Sequence, residues 1–300
     1  MKTILPITID DNVLVSSSVA EDDAAPYDAG TVYGIGGTCV VDHVIYSSLV
    51  ASNAGHYPPD NITGTTPKWS EGEYTNRWKM FDKYSNTQTS DTKDIIVELA
   101  VNYCNVISLF NIVAESIQID VKNSVGELVF AITKELLLSD PQNWEEYFYA
   151  SREWNDVAWV EFPIMATARI TITIKGAKPC SGNVIIGEVK EIGGTQYDAS
   201  VSSTDYTVFS TNDFGGIYVS QGAYARNVEG DVAIESSAIR SVGNIIYSLR
   251  ATPTAFFCAN QDHADGLSDF LVVYGLMRTF EPTIKRPTVQ EYSFKIVGVK

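Results

Sequence analysis

Five acids and three tryptophans crowd one stretch of this chain: Glu145, Glu146, Glu153, Asp156 and Glu161 lie among Trp144, Trp154 and Trp159. Two carboxylates flanking a glycosidic bond, with rings to hold the sugar, are the equipment of glycoside hydrolysis. Spacing along a chain does not fix the separation of two carboxyl groups, and such acids equally solvate strand edges, so both readings stand. Other catalytic constellations are missing. His43, His56 and His263 are the three histidines, and none has a second histidine, cysteine or paired acid at metal-ligand spacing. Asp42-His43 reads as a hairpin turn, and His56 falls in the Gly-Pro-rich loop 53–61. Tyr33-Gly34-Ile35-Gly36-Gly37 lacks the spacing, the following helix and the Lys-Ser/Thr pair of a phosphate loop, and reads as a tight turn. There is no G-x-S-x-G elbow. We therefore expect no enzyme: no catalytic residue, no metal and no cofactor.

Recognition by flat rings has more to work with. Tyr27, Tyr33, Tyr46, Tyr57, Trp69 and Tyr74 are spread over one short segment, and aromatic rings stack on the apolar faces of sugars. A unit so small has little else to bury, so the same rings can also build its core. Just beyond, Arg77, Trp78, Met80 and Phe81 sit in a stretch too apolar for a solvated loop and too irregular for one helix. These four are expected at a buried contact between the small unit and its neighbour. Arg77 would pair there with a carboxylate or a backbone carbonyl, which its fork suits.

The elements that must position these residues are mostly strands. Ile95, Val97, Leu99 and Val101 alternate with mostly polar neighbours, as do Ile117, Ile119 and Val121, and Ile170, Ile172 and Ile174. Such runs mark half-buried antiparallel strands. The segments 127–132, 157–164 and 183–189 add more, giving about seven or eight strands and a β-sandwich or jelly-roll of the galactose-binding-like kind. Asp140-Pro141 can cap a short helix carrying Trp144, Tyr147 and Phe148. After residue 194 come strand-like segments near 206–210 and 216–219. A helix follows, capped by Ser236 or Ser237, with Ile239, Val242, Ile246 and Leu249 on one face, and Pro253 beyond its end. The last runs, 254–258, 270–276 and 292–298, are apolar strands. The expected organisation is mainly β: an arm at 1–23, a small aromatic β module with its linker at 24–90, the sandwich at 91–193, and a small α+β unit with one amphipathic helix at 194–300.

Composition narrows the partners. The formal net charge is −16, which repels phosphate backbones and argues against nucleic acid. An apolar fraction of 45% with 19% charged residues belongs to a folded chain. Cys39, Cys104, Cys180 and Cys258 are far apart, without a C-x-x-C pair, and reduced thiols are expected. Residues 1–11 lack the apolar core of a signal peptide, and no run approaches the roughly 18 apolar residues of a membrane span. A soluble protein is expected.

Two quoted motifs carry a resemblance. Thr75-Asn76-Arg77-Trp78-Lys79-Met80-Phe81-Asp82 is followed by Asn86-Thr87-Gln88-Thr89-Ser90. With Tyr27-Asp28-Ala29-Gly30-Thr31-Val32-Tyr33 upstream, 168–174 and 184–187 in the sandwich, and 249–253, 273–275 and 294–298 at the end, the chain resembles a family of tailed-bacteriophage virion proteins. These carry a small chitin-binding-like module, a TNRWxMFD linker and a jelly-roll. The order Tyr27…Gly30, Val44…Tyr46, Pro58-Pro59 and Trp69 is also similar to chitin-binding-type modules of bacterial glycosidases. The chain departs from the phage pattern at Gly36-Gly37-Thr38-Cys39, where relatives tend to carry a basic turn. The resemblance implies a non-enzymatic tail, baseplate or collar component, assembled in host cytoplasm into the virion. Its implied partners are other tail proteins, copies of itself in a ring or collar, and a host-surface glycan held by Tyr27, Tyr33, Tyr46, Trp69 and Tyr74. A glycan-binding adhesin and a glycoside or peptidoglycan hydrolase are the competing classes, because a jelly-roll can host all three.

Overall fold

Strict alternation in the middle of the chain becomes two facing layers. The structure is a computed structural model and describes residues 1–138, 143–149, 154–212, 214–259, 270–283 and 287–299. One layer is a five-stranded antiparallel sheet in the order Leu128–Glu135, Ser116–Lys122, Ala168–Lys175, Ile95–Val101, Leu14–Ser17. Its inward residues, among them Val97, Leu99, Ile119, Ile170 and Ile172, meet Ile107, Leu109, Val160, Val184 and Ile186 of the opposite layer in one core. The protein is mainly β, and this part is a sandwich.

The opposite layer does not stop at the sandwich. Val157–Met165, Cys104–Phe110 and Asn183–Glu191 continue through Lys2–Pro6 into Thr254–Phe257, Val272–Thr283, Val289–Gly298 and Tyr224–Glu235, with Gly194–Thr195 and Ser200–Asp205 both on the last strand, a ten-stranded antiparallel sheet. The boundary drawn at residues 193/194 therefore falls inside a sheet that is continuous in space. Residues 1–23 hold it together. Lys2–Pro6 pairs with Asn183–Glu191 on one side and Thr254–Phe257 on the other, while Leu14–Ser17 closes an edge of the facing sheet. Ile4 is fully buried. Gly187 makes the pairing with Asn183–Glu191 possible, since a Cβ there would lie 1.9 Å from the Leu5 carbonyl oxygen.

In the C-terminal part the helix Ile239–Ser248 lays Val242 and Ile246 on Val232, Tyr292, Phe294 and Ile296. Its N-cap is Ala238, without a side-chain bond, rather than Ser236 or Ser237. The two serines are engaged elsewhere: Ser236 Oγ accepts from Gln290 and Ser237 Oγ donates to Glu235. The expected strands near 206–210 and 216–219 form a separate hairpin, Val208–Thr211 with Ile217–Ser220. They stay exposed along their whole length instead of packing on the helix. A short helix, Trp144–Tyr149, carries Trp144 and Phe148; its expected cap, Asp140-Pro141, lies outside the described residues. Among the described residues no helix is long and apolar enough to cross a membrane.

Candidate functional site

The small module is a three-stranded sheet, Thr38–Val41, Val44–Ser48 and Trp69–Tyr74. Asp42 and His43 turn the first hairpin with φ of 48° and 66°, the left-handed pair that a two-residue hairpin loop requires. Gly34–Gly37 is a tight turn closed by the Gly37 N–H on the Gly34 carbonyl at 2.9 Å. Only five buried apolar side chains form the core here: Cys39, Val41, Val44, Tyr46 and Trp69. Shortage of aliphatic residues hands the burial to aromatic rings.

This divides the expected sugar platform. Trp69 is 1% exposed, and its Nε1–H donates to the His56 carbonyl at 2.8 Å. Tyr46 is buried beside it, and Tyr74 is half-buried against the same core. Trp69 and Tyr46 are core, whereas Tyr74, like Tyr27 and Tyr33, is half-buried against it. Tyr57 is the exposed ring, and it adjoins the half-buried pair Tyr27 and Tyr33. The rings of Tyr27 and Tyr33 lie 6.0 Å apart and 14° from parallel. Tyr57 stands edge-on to Tyr27 at 5.7 Å, and both Tyr27 and Tyr33 rest on Trp69 at 6.2 and 5.0 Å. Tyr33 is further fixed because its hydroxyl accepts the Asp28 N–H at 2.9 Å. Tyr57 is 42% exposed, so the outer ring of the cluster is the one omitted from the five expected glycan contacts. Rings held in place by their neighbours lose little rotamer freedom when a flat apolar face docks on them.

Arg77, Trp78, Met80 and Phe81 lie where the module meets the sandwich. Arg77 Nε donates to the Val19 carbonyl at 2.8 Å. Trp78 is buried, stacked on His43 at 4.0 Å and edge-on to Phe81 at 5.8 Å. Met80 enters the sandwich core, and Phe81 packs against it. The two halves of the quoted motif also meet. Asn76 and Ser90 exchange bonds of 2.8 and 3.0 Å, and the Met80 N–H reaches Thr89 Oγ1 at 2.9 Å.

Sequence reading missed what surrounds this contact. Glu21 receives His43 Nδ1 and the Thr75 hydroxyl, both at 2.8 Å, and lies 3.8 Å from Arg77. Asp11 approaches the other ring nitrogen at 3.2 Å, and Asp23 accepts the Asn76 N–H at 3.0 Å. Burial acts to raise the Glu21 carboxyl, but the bonds from His43 and Thr75 and the nearby His43 and Arg77 charges outweigh it and hold it below its usual range. The acidic run 21–23 thus ties residues 1–23, module and linker together. Sequence separations of 22, 32 and 54 residues hide it from any local pattern.

The acid and tryptophan stretch is differently placed. Glu161 accepts Lys2 Nζ at 2.8 and 2.9 Å and Trp159 Nε1–H at 2.9 Å. Trp159 itself packs on Phe257 at 5.5 Å. Trp154 is 37% exposed and Glu145 is exposed. Glu153 and the side chain of Glu146 lie outside the described residues. Cys39, Cys104 and Cys258 are buried and Cys180 is half-buried, all as free thiols. Among the described residues no group of His, Cys, Asp and Glu could hold a metal ion.

The fold and this geometry define a mainly β protein: a sandwich continuous with a helix-backed sheet, bearing a small aromatic β module. No protein-family profile and no curated protein matches the chain. Among solved structures, chitosan-binding module 1 derived from a chitosanase/glucanase of Paenibacillus sp. IK-5 aligns with 36% of this chain and 81% of its own. The identity is 14% and the TM-score 0.23, a likeness that carries no argument.

Proposed function

We propose that this chain is a non-enzymatic, tail-associated virion protein that assembles in several copies and touches a host-surface glycan through Tyr27, Tyr33 and Tyr57. The observation that carries the glycan half is the half-open set of rings, pinned from below by Trp69. The virion half is supported by the resemblance of the linker motif, whose residues join the module to the sandwich. A pyranose ring would lie against Tyr57 and the edges of Tyr27 and Tyr33, with affinity from stacking and from excluded water.

Retention of the full chain on insoluble chitin and on purified host cell wall tests the glycan contact. Tyr57→Ala is expected to cut retention about two- to tenfold, the worth of one stacked ring, with an unchanged circular dichroism spectrum. Full retention by Tyr57→Ala would overturn the site. Trp69→Ala cannot serve, because removing a fully buried tryptophan costs about 3–5 kcal/mol and would unfold so small a module. Antibody labelling of purified phage particles tests the other half: label on the tail supports it, and its absence from the particle removes it.

A further inference from the structure

The hairpin Val208–Thr211 with Ile217–Ser220 has no core beneath it. It prolongs the pair Ser200–Asp205 and Tyr224–Glu235 outward from the end of the ten-stranded sheet. Its register puts Phe209 opposite Val219 and Thr211 opposite Ile217, so Phe209, Val219 and Ile217 share one face. Those three are 69%, 59% and 71% exposed, Val208 and Tyr218 on the other face 62% and 69%, and Phe214 in the turn 97%. The ribbon is built rather than loose. Asn212 Oδ1 accepts the Phe214 and Gly216 N–H groups at 3.1 and 2.7 Å, and the Tyr206 N–H bonds the Ala223 carbonyl at 2.9 Å at its root. A two-stranded ribbon standing alone is marginal in water and needs a third strand or a cover.

We propose that this ribbon is a self-association element, covered in solution by the same ribbon of a second copy. Three observations choose that occupant. The face made by Phe209, Ile217 and Val219 presents roughly 400 Å² of apolar surface, about half of what each partner contributes to a standard interface. Residues 206–224 contain a single charged residue, Asp213, in a chain of net charge −16, so this is where two copies repel each other least. The ribbon's outer edges pair with no other strand among the described residues, and its sequence has neither the lysine nor the proline that blunts such edges. Face-to-face packing of two ribbons about a two-fold axis buries the Phe209, Ile217 and Val219 face of each in a self-complementary contact. The inference deepens the assembly half of the proposal above and rests on it for the multi-copy state. Glycan retention through Tyr57 stands or falls separately.

Light scattering after size exclusion, on the full chain at tens of micromolar, tests it alongside the double variant Phe209→Asp/Ile217→Asp. Expected is a mass at least twice the 32.9 kDa of one chain, reduced to one chain in the variant. Both carboxylates are exposed in the separated form, so the variant should keep the circular dichroism spectrum of the wild type. Slower amide exchange of 208–220 in concentrated than in dilute wild-type protein is the second readout and does not depend on the variant folding. A wild-type monomer at every concentration overturns the proposal. So does an assembled mass that survives the double substitution, or a monomer whose ribbon binds neutral lipid vesicles.

Discussion

Asp82, the last residue of the stretch 75–82, is a carboxyl whose surroundings work against its charge. Burial pushes its carboxyl up to about 6, although Thr87 Oγ–H and the Tyr84 N–H both bond it and pull the other way. A carboxyl raised on folding holds its proton more tightly folded than unfolded. Its stabilising contribution is therefore complete below the ordinary aspartate range and is lost as pH rises through about 6. Asp82→Asn keeps an acceptor for Tyr84 and a partner for Thr87 while removing the charge. We expect it to raise stability at neutral pH by about 1–2 kcal/mol after solvent screening, roughly 2–4 °C in Tm. The gain should vanish near pH 4, and melting curves at the two pH values check it. A gain independent of pH would mean that packing, not charge, was altered. Glu21 has the opposite sign. Its depressed carboxyl stabilises above the ordinary glutamate range and loses that contribution as pH falls below it.

At the scale of elements, the pairing of Lys2–Pro6 with Asn183–Glu191 depends on the missing side chain of Gly187. Gly187→Ala must push the Leu5 carbonyl aside, because the added carbon would sit 1.9 Å from its oxygen. A cost of at least about 2 kcal/mol is expected, seen as a lower urea midpoint with an unchanged slope. An unchanged midpoint would show that the strand pair yields freely. Strands buried on one face were legible: Ile95–Val101, Ser116–Lys122 and Ala168–Lys175 alternate in the sequence as they do in the fold. Cys104–Phe110 was not, because it is buried on both faces and the alternation is erased. The helix Ile239–Ser248 announced itself by its apolar spacing, whereas its start was misread because adjacent serines signal a cap whether or not they bond one.

For the whole molecule, one sheet spans the sandwich and the helix-backed part, and its central strand, Lys2–Pro6, bonds both. Neither part can lose its strand order without exposing the other's edge. Calorimetry should therefore show them melting in one transition, with van't Hoff and calorimetric enthalpies agreeing. Two resolved transitions for 91–193 and 194–299 would show that the junction is weak. The aromatic module is joined differently, by Trp78 stacked on His43 and by the bonds of Glu21, and its amides should exchange faster than those of either core.

The sequence by itself determined that the chain is mainly β, which residues of the regular strands face inward, where Asp42-His43 turns, and that aromatic residues gather in one small module. Each of these is written in a period of two, in local turn chemistry or in composition, and needs no distant partner. The tertiary structure alone decided that Trp69 is core while Tyr57 is open, that Glu21 reaches His43 and Thr75, and that residues 1–23 run through both sheets. It alone left the ribbon 208–220 uncovered. Those outcomes depend on which strand lies beside which. Pairing is set by the competition of many buried faces across the chain, and no window of neighbouring residues contains it.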